Sequence, residues 1–211
     1  MRQEAPLIHL FVRNVSREFG EMRVLRDISF DAQSGQAIAI TGPNGSGKTT
    51  LIRILSYLIK PTSGEVIYQD GEQRIRPEKI HKFIGLVGPY LEMYQDLTAA
   101  ENLRFFAEIQ GMKHAEPRIR ELMELLGLGD RLDDAVKTYS SGMKQRLKYV
   151  FALLNHPQIL FVDEPRSNLD EQGIQTVYRL LREFKEKNLL IIATNEKEDL
   201  HLADKTVQVH A

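Results

Sequence analysis

The chain has 211 residues, 42% of them hydrophobic, which suits one compact domain with a substantial buried core. Its 28 lysines and arginines against 29 aspartates and glutamates leave a formal net charge of -1, so no basic field, polybasic arm or acidic tail points to nucleic acid. The absence of cysteine excludes disulfides, thiolate metal sites and cysteine nucleophiles, and is compatible with a reducing compartment; residues 1–6 hold no long apolar core, and no run approaches the ~20 apolar residues of a membrane span.

In chain order, residues 7–12 run apolar or alternate, and Val24-Leu25 and Ile28-Ser29-Phe30 read as short strands between turns at Gly20 and Ser34-Gly35. A β-rich entry is expected. Residues 36–41 are apolar and β-branched like a buried strand, and lead into Gly42-Pro43-Asn44-Gly45-Ser46-Gly47-Lys48-Thr49-Thr50. That run fits the P-loop pattern of Gly, four free positions, then Gly-Lys-Ser/Thr. Leu51, Ile52, Ile54, Leu55, Leu58 and Ile59 then recur at helical spacing. A glycine-rich turn between strand and helix needs no ligand, but the full spacing in this setting favours phosphate binding. Glycines let the backbone wrap a polyanion, with successive N–H groups and the helix N-terminus facing the phosphates. Lys48 is expected to reach the β- and γ-phosphates, and the Thr49 hydroxyl to coordinate Mg²⁺.

Pro61-Thr62-Ser63-Gly64 reads as a turn, residues 65–68 as a strand, Asp70-Gly71 as a hairpin or loop, and residues 83–87 as another strand. From about residue 88 to 155 the periodicity becomes helical. Thr98-Ala99-Ala100-Glu101 is a capping box opening a helix through about Gln110, ended by Gly111. Ile119, Leu122, Met123 and Leu126 share one face of a second helix, stopped by Gly127 and Gly129. These helices form a candidate inserted lobe. Residues 159–162 are continuously apolar, as expected of a parallel strand covered on both faces. An amphipathic helix follows over residues 171–187, then a buried strand over 189–194 and an edge strand over 205–209.

Chemistry concentrates in two further runs. Tyr139-Ser140-Ser141-Gly142-Met143-Lys144-Gln145-Arg146 opens a helix, and Phe161-Val162-Asp163-Glu164-Pro165 ends a strand. Such a strand delivers two carboxylates to the sheet edge that carries the P-loop. Here the chain resembles the ATP-binding-cassette (ABC) ATPases, whose signature, usually Leu-Ser-Gly-Gly-Gln, corresponds to residues 139–143, with Ser140 and Gly142 identical. Phe19-Gly20 fits the aromatic A-loop, and Ser167-Asn168-Leu169-Asp170 the D-loop. The resemblance covers nearly the whole chain.

It implies an α/β P-loop NTPase fold as a single domain: a RecA-type core with a mostly parallel sheet over residues 1–87 and 156–211, an N-terminal antiparallel β subdomain, and an inserted α-helical subdomain over about 88–155. It implies ATP and Mg²⁺ as ligands, with Asp163 holding the cation beside Thr49 and Glu164 acting as general base. Ser140, Ser141 and Gly142 would face the γ-phosphate held by a second subunit, and Phe19 would stack on adenine. On their own, Ser-Ser-Gly is an ordinary N-cap and Phe19 a packing residue.

Two positions depart from the family. Where it usually has a glutamine after the strand at 83–87, this chain has Pro89, which offers no side-chain ligand. Where it has a switch histidine after the strand at 189–194, this chain has Asn195, which can donate a hydrogen bond but cannot be protonated. ATP hydrolysis is expected, slower than in relatives with both residues.

The resemblance thus implies the ATPase subunit of a membrane transporter, at the inner face of the cell membrane without inserting into it. It would pair with a second ATPase subunit, the same chain or another, and with a separate transmembrane permease. The alternative is a soluble family member in regulation or repair; a basic patch or long heptad insertion would favour that, and neither is seen. A P-loop kinase or GTPase is disfavoured by the signature and the Asp-Glu pair. Short length and Ser-Ser-Gly-Met-Lys-Gln-Arg are similar to haem-exporter cassettes of cytochrome c maturation and to short export-type cassettes. The six histidines show no metal-ligand spacing.

Overall fold

A computed structural model describes residues 7–210, so the leading segment 1–6 and residue 211 lie outside it. Strands β1 (Ile8–Phe19) and β2 (Met22–Gln33) form a long hairpin, and β1 also pairs antiparallel with β4 (Ser63–Asp70), which pairs with β5 (Gln73–Ile75). Where the sequence reads as two short strands at Val24-Leu25 and 28–30, one bulged strand runs through. Asn14 and Asp27 take left-handed φ of 47° and 48° at the irregularity, and the Asp27 N–H donates to Ser16 Oγ at 2.9 Å. A bulge spends an extra residue without ending the pairing.

The second sheet is all parallel, in the order β6-β7-β8-β3-β9, from β3 (Ala37–Thr41), β6 (Ile84–Val87), β7 (Ile159–Asp163), β8 (Leu189–Thr194) and β9 (Lys205–Gln208). Side chains alternate across it. Leu160, Val162, Leu190 and Ile192 face one hydrophobic cluster, with helices α2 (Ala99–Ile109), α3 (Glu116–Leu125), α4 (Ser141–Leu153) and α5 (Glu171–Lys185). Ile159, Phe161, Leu189 and Ile191 face the other, with α1 (Lys48–Leu55) and the antiparallel sheet. Burying each such side chain contributes about 1.5–3 kcal/mol, which explains why β7 and β8 are apolar at every position but the last.

Helix α1 is shorter than the spacing of Leu58 and Ile59 suggests. Ser56 Oγ donates back to the Ile52 carbonyl at 2.9 Å, Tyr57 turns to φ 57°, and Leu58 and Ile59 both donate to the Arg53 carbonyl. Tyr57 and Tyr68 fasten this turn to β4: the Tyr68 hydroxyl donates to the Leu55 carbonyl at 2.8 Å and that of Tyr57 to the Val66 carbonyl at 2.5 Å. Periodicity carries on past the helix because Ile59 still packs on the same cluster. The capping box at Thr98 and Glu101 is present, and α2 ends before Gly111.

Candidate active site

Register brings three chain segments to the carboxyl-terminal edge of the parallel sheet, with Thr41 beside Thr194 and Asp163 beside Ala193. Residues 42–47 loop from β3 into α1. A Cβ on Gly42 would stand 2.3 Å from the Val209 carbonyl oxygen, and one on Gly47, at φ 101°, would meet the Val24 side chain at 2.8 Å. Only glycine fits either place. Helix α1, like α3, begins with no side-chain cap, whereas Thr98, Ser140 and Asp170 cap α2, α4 and α5. Its first N–H groups are left for an anion, which the helix dipole favours.

Lys48 is only 6% exposed, and its Nζ donates to the carbonyls of Gly42 and Pro43 at 2.8 and 3.0 Å. An ammonium has three donors, so one remains for a phosphate oxygen. Ser46 is buried with its hydroxyl unpartnered inside the same loop. The Thr49 hydroxyl donates to Asp163 Oδ2 at 2.7 Å. Burial holds the Asp163 carboxyl above the ordinary carboxylate range, and the Thr49 hydrogen bond opposes that; Glu164 adds to the rise, while Lys48 and Arg53 lower it. A desolvated carboxylate beside a hydroxyl is the hard oxygen pair that Mg²⁺ takes from a protein while keeping phosphate and water as its other ligands. Among the described residues no cluster of three or more His, Asp or Glu could hold a metal alone.

Glu164 takes φ 56°, a left-handed conformation that costs a non-glycine residue about 1–2 kcal/mol. Two hydrogen bonds hold it there: its N–H donates to the Ala193 carbonyl at 2.9 Å, and its carbonyl accepts from the Ser167 N–H at 3.1 Å. The turn sets the exposed carboxylate on the boundary of two cavities. One, of about 420 Å³, is lined by Val24, Asn44, Gly45, Gly47, Lys48, Thr49 and Thr50. The other, of about 340 Å³, is lined by residues that include Arg166, Asn195 and Asp199. Asn195 Nδ2 donates to Asn44 Oδ1 of the P-loop at 3.1 Å. Buried Asp199 braces the turn beneath Asn195, accepting from the Thr194 and Tyr178 hydroxyls. Burial, together with the bond to Asp199, raises the Tyr178 hydroxyl pKa above its ordinary value.

Asn44, Gly45, Gly47, Lys48, Thr49, Thr50 and Glu164 thus share one cavity, and Gly42 and Pro43 line a different one with Asn195. Phe19 stands apart from these linings at the end of β1; it is 46% exposed, its ring 4.4 Å from the Arg17 guanidinium, and Val24 forms the apolar wall instead. Ser140, Ser141 and Gly142 also lie outside both linings. Ser140 Oγ accepts from the Met143 N–H at 3.2 Å, and a Cβ on Gly142 would meet the Asn168 carbonyl oxygen at 3.1 Å, so the signature packs on the D-loop of its own chain. The structure adds residues that the motifs do not name: Arg53, Tyr90, Asp199, and Lys148, whose Nζ donates to the Gly88 carbonyl at 3.1 Å. Arg53 had one signal in the sequence, its position four residues after Thr49 on the same helix face.

A family profile described as ABC transporter matches residues 25–167. The ABC transporter ATP-binding protein YdbJ of Bacillus subtilis (strain 168) is 38% identical over 200 residues, covering 92% of this chain and 64% of YdbJ. The chain therefore spans less than two thirds of that relative. The lantibiotic transport ATP-binding protein SrtF of Streptococcus pyogenes is 33% identical over 197 residues, covering 92% of this chain and 84% of SrtF. Among solved structures, a dimeric post-hydrolysis state of the ATP-binding cassette MJ0796 bound to ADP and Pi superposes with a TM-score of 0.84 at 25% identity, covering 95% of this chain and 94% of that one.

Proposed function

This chain belongs to the ABC transporter family, and on that premise we propose that it is the ATP-binding and ATP-hydrolysing subunit of a membrane transporter. The observation that carries the reading is Glu164, a carboxylate at a strained turn, next to the Asp163–Thr49 pair and on the wall of the cavity that Lys48 lines. Phosphoryl transfer to water asks a protein mainly for positioning and charge compensation. The P-loop N–H groups, the first turn of α1 and the free Lys48 donor would hold the phosphates. Glu164 would orient the attacking water and take its proton. Thr49 and Asp163 would hold Mg²⁺, which supplies charge neutralisation on the phosphate oxygens. Asn195 would position the γ-phosphate by hydrogen bonding, without the charge of an imidazolium.

Ser140, Ser141 and Gly142 would complete the site of a second subunit across an ATP-bound dimer, and Phe19 would stack on adenine. The membrane subunit would dock on the helical segment 88–155, where Tyr94, Phe105 and Ile109 stand exposed. Among the described residues no helix is long and apolar enough to cross a membrane, so attachment at the inner face would run through that partner. Transport, rather than a soluble regulatory role, is supported by the names of the relatives.

The test is steady-state ATP turnover of the purified chain beside Glu164→Gln, with gel filtration of both in ATP. The expected result is a loss of turnover of at least about 10²-fold in the variant and an ATP-dependent dimer. Turnover unchanged in Glu164→Gln would refute the assignment of the base. A folded, ATP-binding chain with neither turnover nor dimer would overturn the homodimeric motor.

A further inference from the structure

Pro89 occupies the place after β6 where a polar side chain is expected and has no group to offer. The residue beside it does. Val87, the last residue of β6, pairs with Val162, so Gly88 leaves the sheet alongside Asp163. The chain then reverses, and the Tyr90 side chain folds back over Gly88: a Cβ there would lie 2.9 Å from the Tyr90 hydroxyl oxygen and 2.6 Å from the ring carbon that bears it. Gly88 thus has to be glycine to admit the ring. The Arg53 guanidinium lies over the ring, 4.8 Å from its centroid. Arg53 shares a face of α1 with Thr49, the residue that bonds Asp163. The Gly88 carbonyl is held by Lys148 of α4 at 3.1 Å.

These constraints bring the hydroxyl of the half-buried Tyr90 to a buried position with no hydrogen-bond partner, among the few unpartnered buried polar atoms of the described residues. An unsatisfied buried donor is costly, and a fold tolerates it where the group acts on something. Burial above all, and then the charge of Asp163, push the Tyr90 hydroxyl pKa up, and Arg53 opposes them. At neutral pH the hydroxyl keeps its proton and is a donor. Asp163 has a second oxygen, Oδ1, while Thr49 occupies Oδ2 as its side-chain donor among the described residues.

We propose that Tyr90 is the positioning residue for Asp163: its hydroxyl donates through one water to the carboxylate and aims it at the cation that Asp163 and Thr49 would hold. This rests on the ATPase reading above. Tyr90 takes over a polar duty at the sheet edge that Pro89 cannot perform, from one residue further along the chain. Lys148 ties the same loop to the signature helix, so the orientation of Asp163 is joined to the position of α4.

The test is Tyr90→Phe in the full chain, which keeps the ring on Arg53 and removes only the hydroxyl, with Tyr90→Gln as the polar replacement. Binding of a fluorescent ATP analogue is titrated with Mg²⁺ and in EDTA, and kcat and KM for ATP are measured beside Glu164→Gln. In Tyr90→Phe the Mg²⁺ needed for half-maximal effect on nucleotide binding should rise about fivefold and kcat fall about tenfold, the size of one hydrogen bond to a charged group. Binding in EDTA and KM should stay within about twofold, and Tyr90→Gln should recover part of the loss. Unchanged metal dependence and kcat would overturn the proposal, as would an equal loss of binding in EDTA, which marks general damage. If Glu164→Gln still hydrolyses ATP, the reading of the base fails instead, while the Mg²⁺ titration continues to read Tyr90.

Discussion

Asp163 sets stability and chemistry against each other. It is 4% exposed, and burial raises its carboxyl pKa despite the Thr49 hydroxyl. A carboxylate whose folded pKa is raised destabilises the fold above its ordinary range, and the cost is relieved as pH falls through the folded value. Asp163→Asn removes that charge and keeps an oxygen for Thr49. The nucleotide-free variant should therefore melt higher by a few degrees, at about 2–4 °C per kcal/mol in a chain of this size, while losing Mg²⁺-dependent nucleotide binding. Thermal melts of both apo proteins check the sign; a lower melting temperature would mean that the Thr49 bond outweighs desolvation. Asp163, Glu164, Lys48 and Thr49 were legible as residues because each belongs to a contiguous motif. Tyr90 was not, because its role depends on a backbone reversal and on a cation from another element.

Segment 88–98 joins β6 to α2 with no helix or strand of its own, and one side chain organises it. Asn102 is fully buried on α2; its Oδ1 accepts from the Tyr94 N–H at 2.9 Å, and its Nδ2 donates to the carbonyls of Tyr94 and Thr98 at 3.0 and 2.9 Å. Met93 is buried against the helical cluster alongside it. Asn102→Leu would leave backbone groups of the segment unpartnered, costing about 2–3 kcal/mol. Urea denaturation should report that loss, and faster hydrogen exchange should be confined to residues 93–98 and the first turn of α2; loss of exchange protection across the whole chain would argue against a local clamp. The capping box at Thr98 could be read locally, since both its partners sit within four residues. Where α1 stops and β2 continues depended on Tyr57, Tyr68 and the Ser16–Asp27 pair, contacts between distant segments.

For the whole molecule, the parallel sheet separates two cores and gathers the phosphate loop, Asp163, Glu164 and Asn195 on one edge, while the signature stays outside that cavity. If a second copy completes the site, turnover per chain must rise with protein concentration in the range where monomers predominate and then level off. A constant specific activity across a hundredfold dilution, with the protein monomeric throughout, would overturn the two-chain site. The sequence alone determined the phosphate loop, the strand that ends in two carboxylates, the signature helix and hence the family, because each is written in neighbouring residues whose spacing sets local backbone geometry. The tertiary structure decided which of them meet: Thr49 reaches Asp163 across 114 residues and Asn195 reaches Asn44 across 151. Such pairs follow from strand order and register in a sheet buried on both faces, which only the packing of the complete chain selects.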